Sequence, residues 1–189
     1  MRFVDISGCY SERSKRLKTA NLTLIPHVPA HLLALGNSER EYEQVSGFKA
    51  ATGIREFLLM ASPEFFRSLE NATEPDPWKF GFAIFHTADN LVIGLCGFAG
   101  APDSTGGVEL GYSIAPSYQG RGLATETALA LIAFANSRGA QKVCAHTLAE
   151  INASTRVLQK CSFTKTAEKT EPDGTPVWRW ERRLMTKHE

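Results

Sequence analysis

The 189-residue chain encodes a mixed α/β domain, α+β in character, with a central and mostly antiparallel sheet of about seven strands flanked by helices. Three observations predict this. Short apolar or alternating runs recur at residues 22–25, 80–85, 91–98, 108–114, 141–147, 162–168 and 176–182, the pattern of half-buried or buried strands. Segments with helical spacing lie between several of them. The runs at 80–85 and 91–98 are joined by a short turn at Asp89-Asn90, a hairpin signal that a doubly wound βαβ array would not contain.

Residues 1–20 read as a polar leader that packs only partly, and residues 21–189 as a single domain of ordinary size. Leu22-Thr23-Leu24-Ile25 alternates into Pro26 as the first strand, and residues 29–35 form a short helix stopped by Gly36. Residues 38–79 are mainly helical but cut by Gly47, Gly53, Pro63, Pro75 and Pro77 into two or three short helices. The hairpin follows. The strand at 108–114 then carries Val108, Leu110, Tyr112 and Ile114 on one face and Glu109, Gly111 and Ser113 on the other. A helix over 123–137 has Ala124, Ala128, Leu131, Ile132 and Ala135 as its apolar stripe and Gly139 as its stop. After the strand at 141–147, Asn152 can cap a short helix that ends near Cys161. Two closing strands turn through Pro172-Asp173-Gly174.

Hydrophobic content of 43% and charged content of 22% suit a soluble globular protein. A formal net charge of +1, with no basic run, argues against a nucleic-acid partner. No apolar span of about 18 residues exists to cross a membrane, and the N-terminus lacks a signal-peptide layout. Cys9, Cys96, Cys144 and Cys161 form no CxxC pair and have no histidine cluster beside them, so no metal site is expected. Cys96 and Cys144 lie in apolar runs and read as core thiols. A reducing, cytoplasmic setting fits.

The segment richest in chemistry is 108–126, VELGYSIAPSYQGRGLATE. A strand feeds a glycine-rich turn and then a helix start, where backbone N–H groups and the helix dipole favour an anion. A P-loop requires Lys-Ser/Thr after its glycines, and a dinucleotide fingerprint requires a third glycine; neither follows Gly120 and Gly122. Small residues at 120, 122 and 124 allow close backbone approach, and Arg121 offers a charge-assisted contact.

The run YQGRGLATE resembles the acyl-CoA pyrophosphate loop, [QR]xxGx[GA], of the GNAT acetyltransferase superfamily, through Gln119, Gly122 and Ala124. The run INASTRVLQKCSF at 151–163 resembles that superfamily's Asn-containing loop, helix and closing Phe. The Glu-Leu-Gly-Tyr before the loop and the late VWRWER bring the chain nearest to the ribosomal-protein-alanine N-acetyltransferase branch. The resemblance implies a GNAT-like sheet with a splayed strand pair at the cofactor cleft, acetyl-CoA as acyl donor and no metal. It assigns the cofactor to the backbone of Ile114 and Ala115, to Gln119, Gly120, Arg121, Gly122, Leu123, Ala124 and Thr125, and to Asn152. The chain departs from the family at Ser162, where a Gly usually precedes the closing Phe, and at Leu158, where many members carry a Tyr as general acid.

Acetyl transfer from a thioester needs a neutral amine, a donor for the developing oxyanion and a proton for the leaving thiolate. Glu109 is the candidate base, with a solvent-facing or salt-bridged strand Glu as the plain alternative. Ser154 is the candidate proton donor, with a first-turn helix Ser as the alternative. His146 ends a strand near this cleft, and its residue type fits a core or surface role better. The acceptor implied is an amine, either a protein N-terminus or a small molecule such as a polyamine or aminoglycoside. A CoA-binding regulatory module without turnover is the remaining alternative. A homodimer is compatible with the sequence.

Overall fold

The computed structural model describes residues 15–184. In chain order the elements are β1 (Leu17–Lys18), β2 (Leu22–Pro26), α1 (Pro29–Asn37), α2 (Glu39–Ser46), α3 (Ile54–Leu58), α4 (Pro63–Glu70), β3 (Phe82–His86), β4 (Leu91–Phe98), β5 (Gly107–Ile114), α5 (Leu123–Ser137), β6 (Lys142–Leu148), α6 (Ala153–Lys160), β7 (Thr164–Thr170) and β8 (Pro176–Arg183). They form one eight-stranded sheet in the order β1-β2-β3-β4-β5-β6-β8-β7. The mixed α/β, GNAT-like architecture expected from the sequence is the one observed. The strand beyond the expected seven is β1, drawn from the leader, which pairs Leu17 with Leu24 and Lys18 with Thr23. Residues 1–14 of that leader lie outside the described residues, and so does Cys9.

All neighbouring strands are antiparallel except β5 and β6. Those two are joined through α5, the crossover a parallel pair requires. They pair only at Gly107↔Lys142, Val108↔Val143 and Glu109↔Cys144. Beyond Glu109 each keeps its outer partner: β5 stays on β4 as far as Gly94↔Ile114, and β6 stays on β8 as far as Leu148↔Val177. A V-shaped gap therefore opens in the middle of the sheet. Its apex is Glu109.

Each face of the sheet carries its own core. On one side Leu110, Ile114 and Val143 pack with Leu123, Leu131 and Ile132 of α5 and with Leu158 of α6. On the other, Ala83, Val92 and Leu95 pack under Leu32, Leu35, Tyr42, Ile54, Leu58 and Leu69 from α1 to α4. The broken segment 38–79 thus resolves into three helices, and the glycines and prolines mark their ends. α2 is capped by the Ser38 hydroxyl, which accepts from the Glu41 amide, and stops at Gly47 in the left-handed region. Pro63 opens α4 behind the Ser62 cap, where a missing N–H costs nothing.

Ser162 has φ of 60°. Its amide donates to the Gln159 carbonyl and that of Phe163 to the Leu158 carbonyl, closing α6 with a Schellman pattern in which buried Phe163 and Leu158 share one core. This is why β7 starts at Thr164, two residues later than the apolar pattern predicts, and why a glycine suits position 162.

Candidate active site

On one side of the gap lies a cleft of about 380 Å³. Its walls are the free end of β5, the loop into α5 and the facing surface of α6. The carbonyl of Glu109 accepts from Ala99, and the amide of Ala115 donates to Ile93, so odd-numbered residues of this strand turn their backbone toward β4. The alternation of a strand turns the amides and carbonyls of Tyr112 and Ile114 into the gap. Gln119 Nε2 donates to the Ile114 carbonyl at 2.9 Å and holds the loop against the strand end. Gly120 and Gly122 both have positive φ, 76° and 81°, and a Cβ at either would meet no atom within 4 Å. Gly122 is the N-cap of α5 and no side chain caps the helix. The first-turn amides at Leu123, Ala124 and Thr125 therefore face the cleft without a protein acceptor from the cap.

The first-turn Glu126 points away from this opening. Its carboxylate accepts from the Thr19 hydroxyl at 2.6 Å and from the Asn21 amide at 2.7 Å, tying the chain between β1 and β2 to α5. Partial burial pushes its pKa up, but these hydrogen bonds outweigh that and hold it below the ordinary value.

Several of the expected site residues sit elsewhere. Arg121 folds back: its guanidinium donates to the Ser117 carbonyl at 2.9 Å and lies 4.8 Å from the Tyr118 ring centre, outside the cleft lining. Arg156 and Lys160 of α6 line it instead, four residues apart and so on one helix face. The signal for them was present in the sequence as that i, i+4 spacing. Asn152 caps α6, its side chain accepting from the Thr155 amide at 3.1 Å while the Thr155 hydroxyl accepts from the Asn152 amide at 3.0 Å; it is not among the cleft-lining residues. The Ala115 amide is committed to β4.

Ser154 does line the cleft, with Tyr112 across from it. The Tyr112 hydroxyl is buried. Burial raises its pKa, Cys161 adds to the rise, and the nearby Ser154 hydroxyl opposes both. Leu158, the position for which the resemblance implies a Tyr in many members, is buried in the α5–α6 core at 1% exposure. Hydroxyl-bearing residues that line the cleft include Tyr112 and Ser113 of β5, Thr125 in the first turn of α5 and Ser154 in the first turn of α6.

At the apex of the gap, Glu109 Oε1 lies 2.8 Å from His146 Nδ1. His146 is two residues past Cys144, the register partner of Glu109, so the alternation of β6 brings its side chain to the same face. An ionised carboxylate only accepts, so Nδ1 carries the proton in this pair. Among the described residues His146 Nε2 is buried without a partner. The imidazole holds the Glu109 carboxylate in place through Nδ1. The Glu109 side chain keeps 41% of its surface exposed against 23% for His146, and it borders a second cavity on the α3–α4 side of the sheet. Among the described residues no group of three or more His, Cys, Asp or Glu side chains is arranged to hold a metal ion, and no helix is long and apolar enough to cross a membrane.

The family profile of the acetyltransferase (GNAT) domain matches residues 21–164, and the chain belongs to that family. A search of curated protein sequences finds no match. Among solved structures, the ribosomal L7/L12 α-N-protein acetyltransferase RimL in complex with coenzyme A is similar at 16% identity, with a TM-score of 0.65 over 92% of this chain and 100% of the other. A GNAT-family acetyltransferase from Bacillus anthracis is 16% identical, with a TM-score of 0.62 over 89% of this chain and 98% of that one. A chimera of the Vibrio cholerae spermidine N-acetyltransferase SpeG with hSSAT is also 16% identical, at a TM-score of 0.65 over 87% and 96%. At these identities the similarity establishes a shared fold.

Proposed function

We propose that the chain is an acetyl-CoA-dependent N-acetyltransferase that acetylates a protein or peptide α-amine by direct attack in a ternary complex. The observation that carries this reading is the fork at Glu109. One carboxylate, held by His146 at 2.8 Å, stands where β5 and β6 part. On one face of the sheet is an anion cradle, and on the other an apolar cavity.

The residues present suit acetyl-CoA, which supplies an activated acetyl thioester. The uncapped amides of α5, the open glycines at 120 and 122, and the cations Arg156 and Lys160 match a pyrophosphate. The gap-facing backbone of Tyr112 and Ile114 matches an extended amide-bearing arm. Glu109 takes the proton of the incoming ammonium, directly or through one water. An α-amine is already neutral to roughly 10% at pH 7, whereas a lysine amine is neutral to about 0.05%, so a half-exposed carboxylate suffices for the former. Ser154, with the Tyr112 hydroxyl beside it, donates to the departing sulfur.

The test is transfer of labelled acetyl groups from acetyl-CoA to a panel of peptides, polyamines and aminoglycosides. Glu109→Gln is expected to lower kcat by about 10²- to 10⁴-fold while leaving acetyl-CoA affinity unchanged. A wild-type rate in that variant removes Glu109 from the chemistry. Turnover of polyamines or aminoglycosides alone moves the reading to a small-molecule acceptor. Acetyl-CoA at about 100 times its Kd should stabilise the fold by roughly 2.7 kcal/mol; no stabilisation removes the donor assignment.

A further inference from the structure

The cavity on the α3–α4 side of Glu109 has a volume of about 400 Å³. Leu32, Phe57, Leu58, Met60, Phe65 and Phe80 form its apolar wall. Its floor is glycine: Gly81, Gly97 and Gly111, from three neighbouring stretches of the sheet. Gly97 and Gly111 are register partners. A Cβ on Gly97 would stand 2.7 Å from the Gly81 Cα, so packing demands glycine there. A Cβ on Gly111 would meet nothing within 4 Å. Packing within the protein does not require that glycine; its missing side chain leaves the floor of the cavity open next to Glu109.

Charge in the cavity is sparse. Among the described residues Glu109 is its one carboxylate and Lys79 its one ammonium, the latter 5.2 Å from the Phe80 ring centre. His27 is buried at the margin with Nε2 unpartnered. A polycation bound here would set its further ammonium groups against apolar walls, where each loses hydration without a partner. A single ammonium next to an apolar group meets both features of the cavity at once. The apolar wall also continues outward, for Phe57 is 40% and Met60 82% exposed, and exposed apolar surface at a pocket rim fits a longer chain passing over it.

Building on the acetyltransferase reading, we infer that the acceptor is a peptide N-terminus whose first residue is large and apolar. Its α-amine lies at Glu109, its first side chain fills the glycine-floored cavity, and the residues that follow cross Phe57 and Met60.

The test uses hexapeptides that differ only in the first residue, Phe, Leu, Ser or Asp, together with phenylalanine amide and spermidine. With acetyl-CoA present, the Phe and Leu peptides are expected to exceed the Ser peptide in kcat/KM by about 10- to 100-fold, the range that burying one large apolar side chain supplies. Gly111→Val places two methyl groups in the cavity and should erase this preference without changing acetyl-CoA affinity. Phe57→Ser, at a half-exposed position, should reduce it in a chain whose folding is not in question. Saturation-transfer NMR of the Phe peptide on the free protein reads occupancy without turnover. A flat first-residue profile, a preference for spermidine, or a Gly111→Val variant that keeps the Phe preference overturns the inference and leaves the acetyltransferase reading standing. Phenylalanine amide used as well as the peptide overturns the peptide part. Saturation transfer to the Phe peptide with no acetyl transfer to any amine overturns the enzymatic reading and keeps the cavity's occupant.

Discussion

Replacing Gly122 with Ala adds one methyl group at the N-terminus of α5. Gly122 has φ of 81°, and the new Cβ would touch no protein atom within 4 Å. The cost is therefore backbone strain alone, about 1–2 kcal/mol for an L-residue in the left-handed region. Gly139, beyond the other end of the same helix, has φ of 84° and the same open surroundings, so Gly139→Ala carries a matched cost far from the cleft. Both variants should lose similar stability in denaturant melts. They part company on the donor. If the loop at 119–125 must hold its left-handed turns to aim amides at a pyrophosphate, relief of the strain at 122 spoils the cradle. Acetyl-CoA affinity then falls by up to the strain, about 5- to 30-fold, while Gly139→Ala binds as the wild type does. Isothermal titration calorimetry with acetyl-CoA reads this directly. Equal affinities in Gly122→Ala and Gly139→Ala would refute the cradle.

Two further outcomes follow from His146 and His27. His146→Asn keeps a donor near the Nδ1 position and should retain most of kcat, whereas His146→Phe leaves Glu109 unheld and should lower kcat by about tenfold or more with acetyl-CoA KM unchanged; indistinguishable pH–rate profiles in the two variants would remove the positioning role. Burial, and then the nearby His31, push the pKa of His27 down to about 3, against a hydrogen bond at the Phe82 backbone that raises it. The unfolded chain takes up this proton near pH 6.5 and the folded chain only near 3, so between those values the unfolded state binds more protons. Stability should fall on acidification through this window by about 1.4 kcal/mol per pH unit from this group, and His27→Asn should flatten the curve measured by urea unfolding from pH 7 to pH 4. Parallel curves would show that His27 is not what titrates.

Local chemistry made much of this legible. Strands 91–98 and 108–114 and the helix at 123–137 lie within a residue of their expected bounds, because apolar periodicity and glycine stops act over a few residues. Asn152 was readable as a cap for the same reason. The small residues at 120 and 122 were readable as places of open backbone, and both glycines have positive φ with no atom within 4 Å of a Cβ. What the sequence could not weigh was Arg121 against Arg156. Both are cations near a glycine loop. The choice turned on Arg121 finding Tyr118 and the Ser117 carbonyl within its own turn, while α6 is carried across the gap to face that turn.

The sequence alone determined a GNAT-like α/β domain with a glycine-rich loop at the start of its central helix, since those features are written in near neighbours along the chain. Only the tertiary structure joined Glu109 to His146, which lie 37 residues apart and meet because β5 and β6 run parallel for three pairs and then diverge. It likewise built the apolar cavity from α1, α3, α4, β4 and β5. Walls gathered from separate elements have no sequence periodicity of their own, and this cavity was therefore the part that local patterns could not reveal.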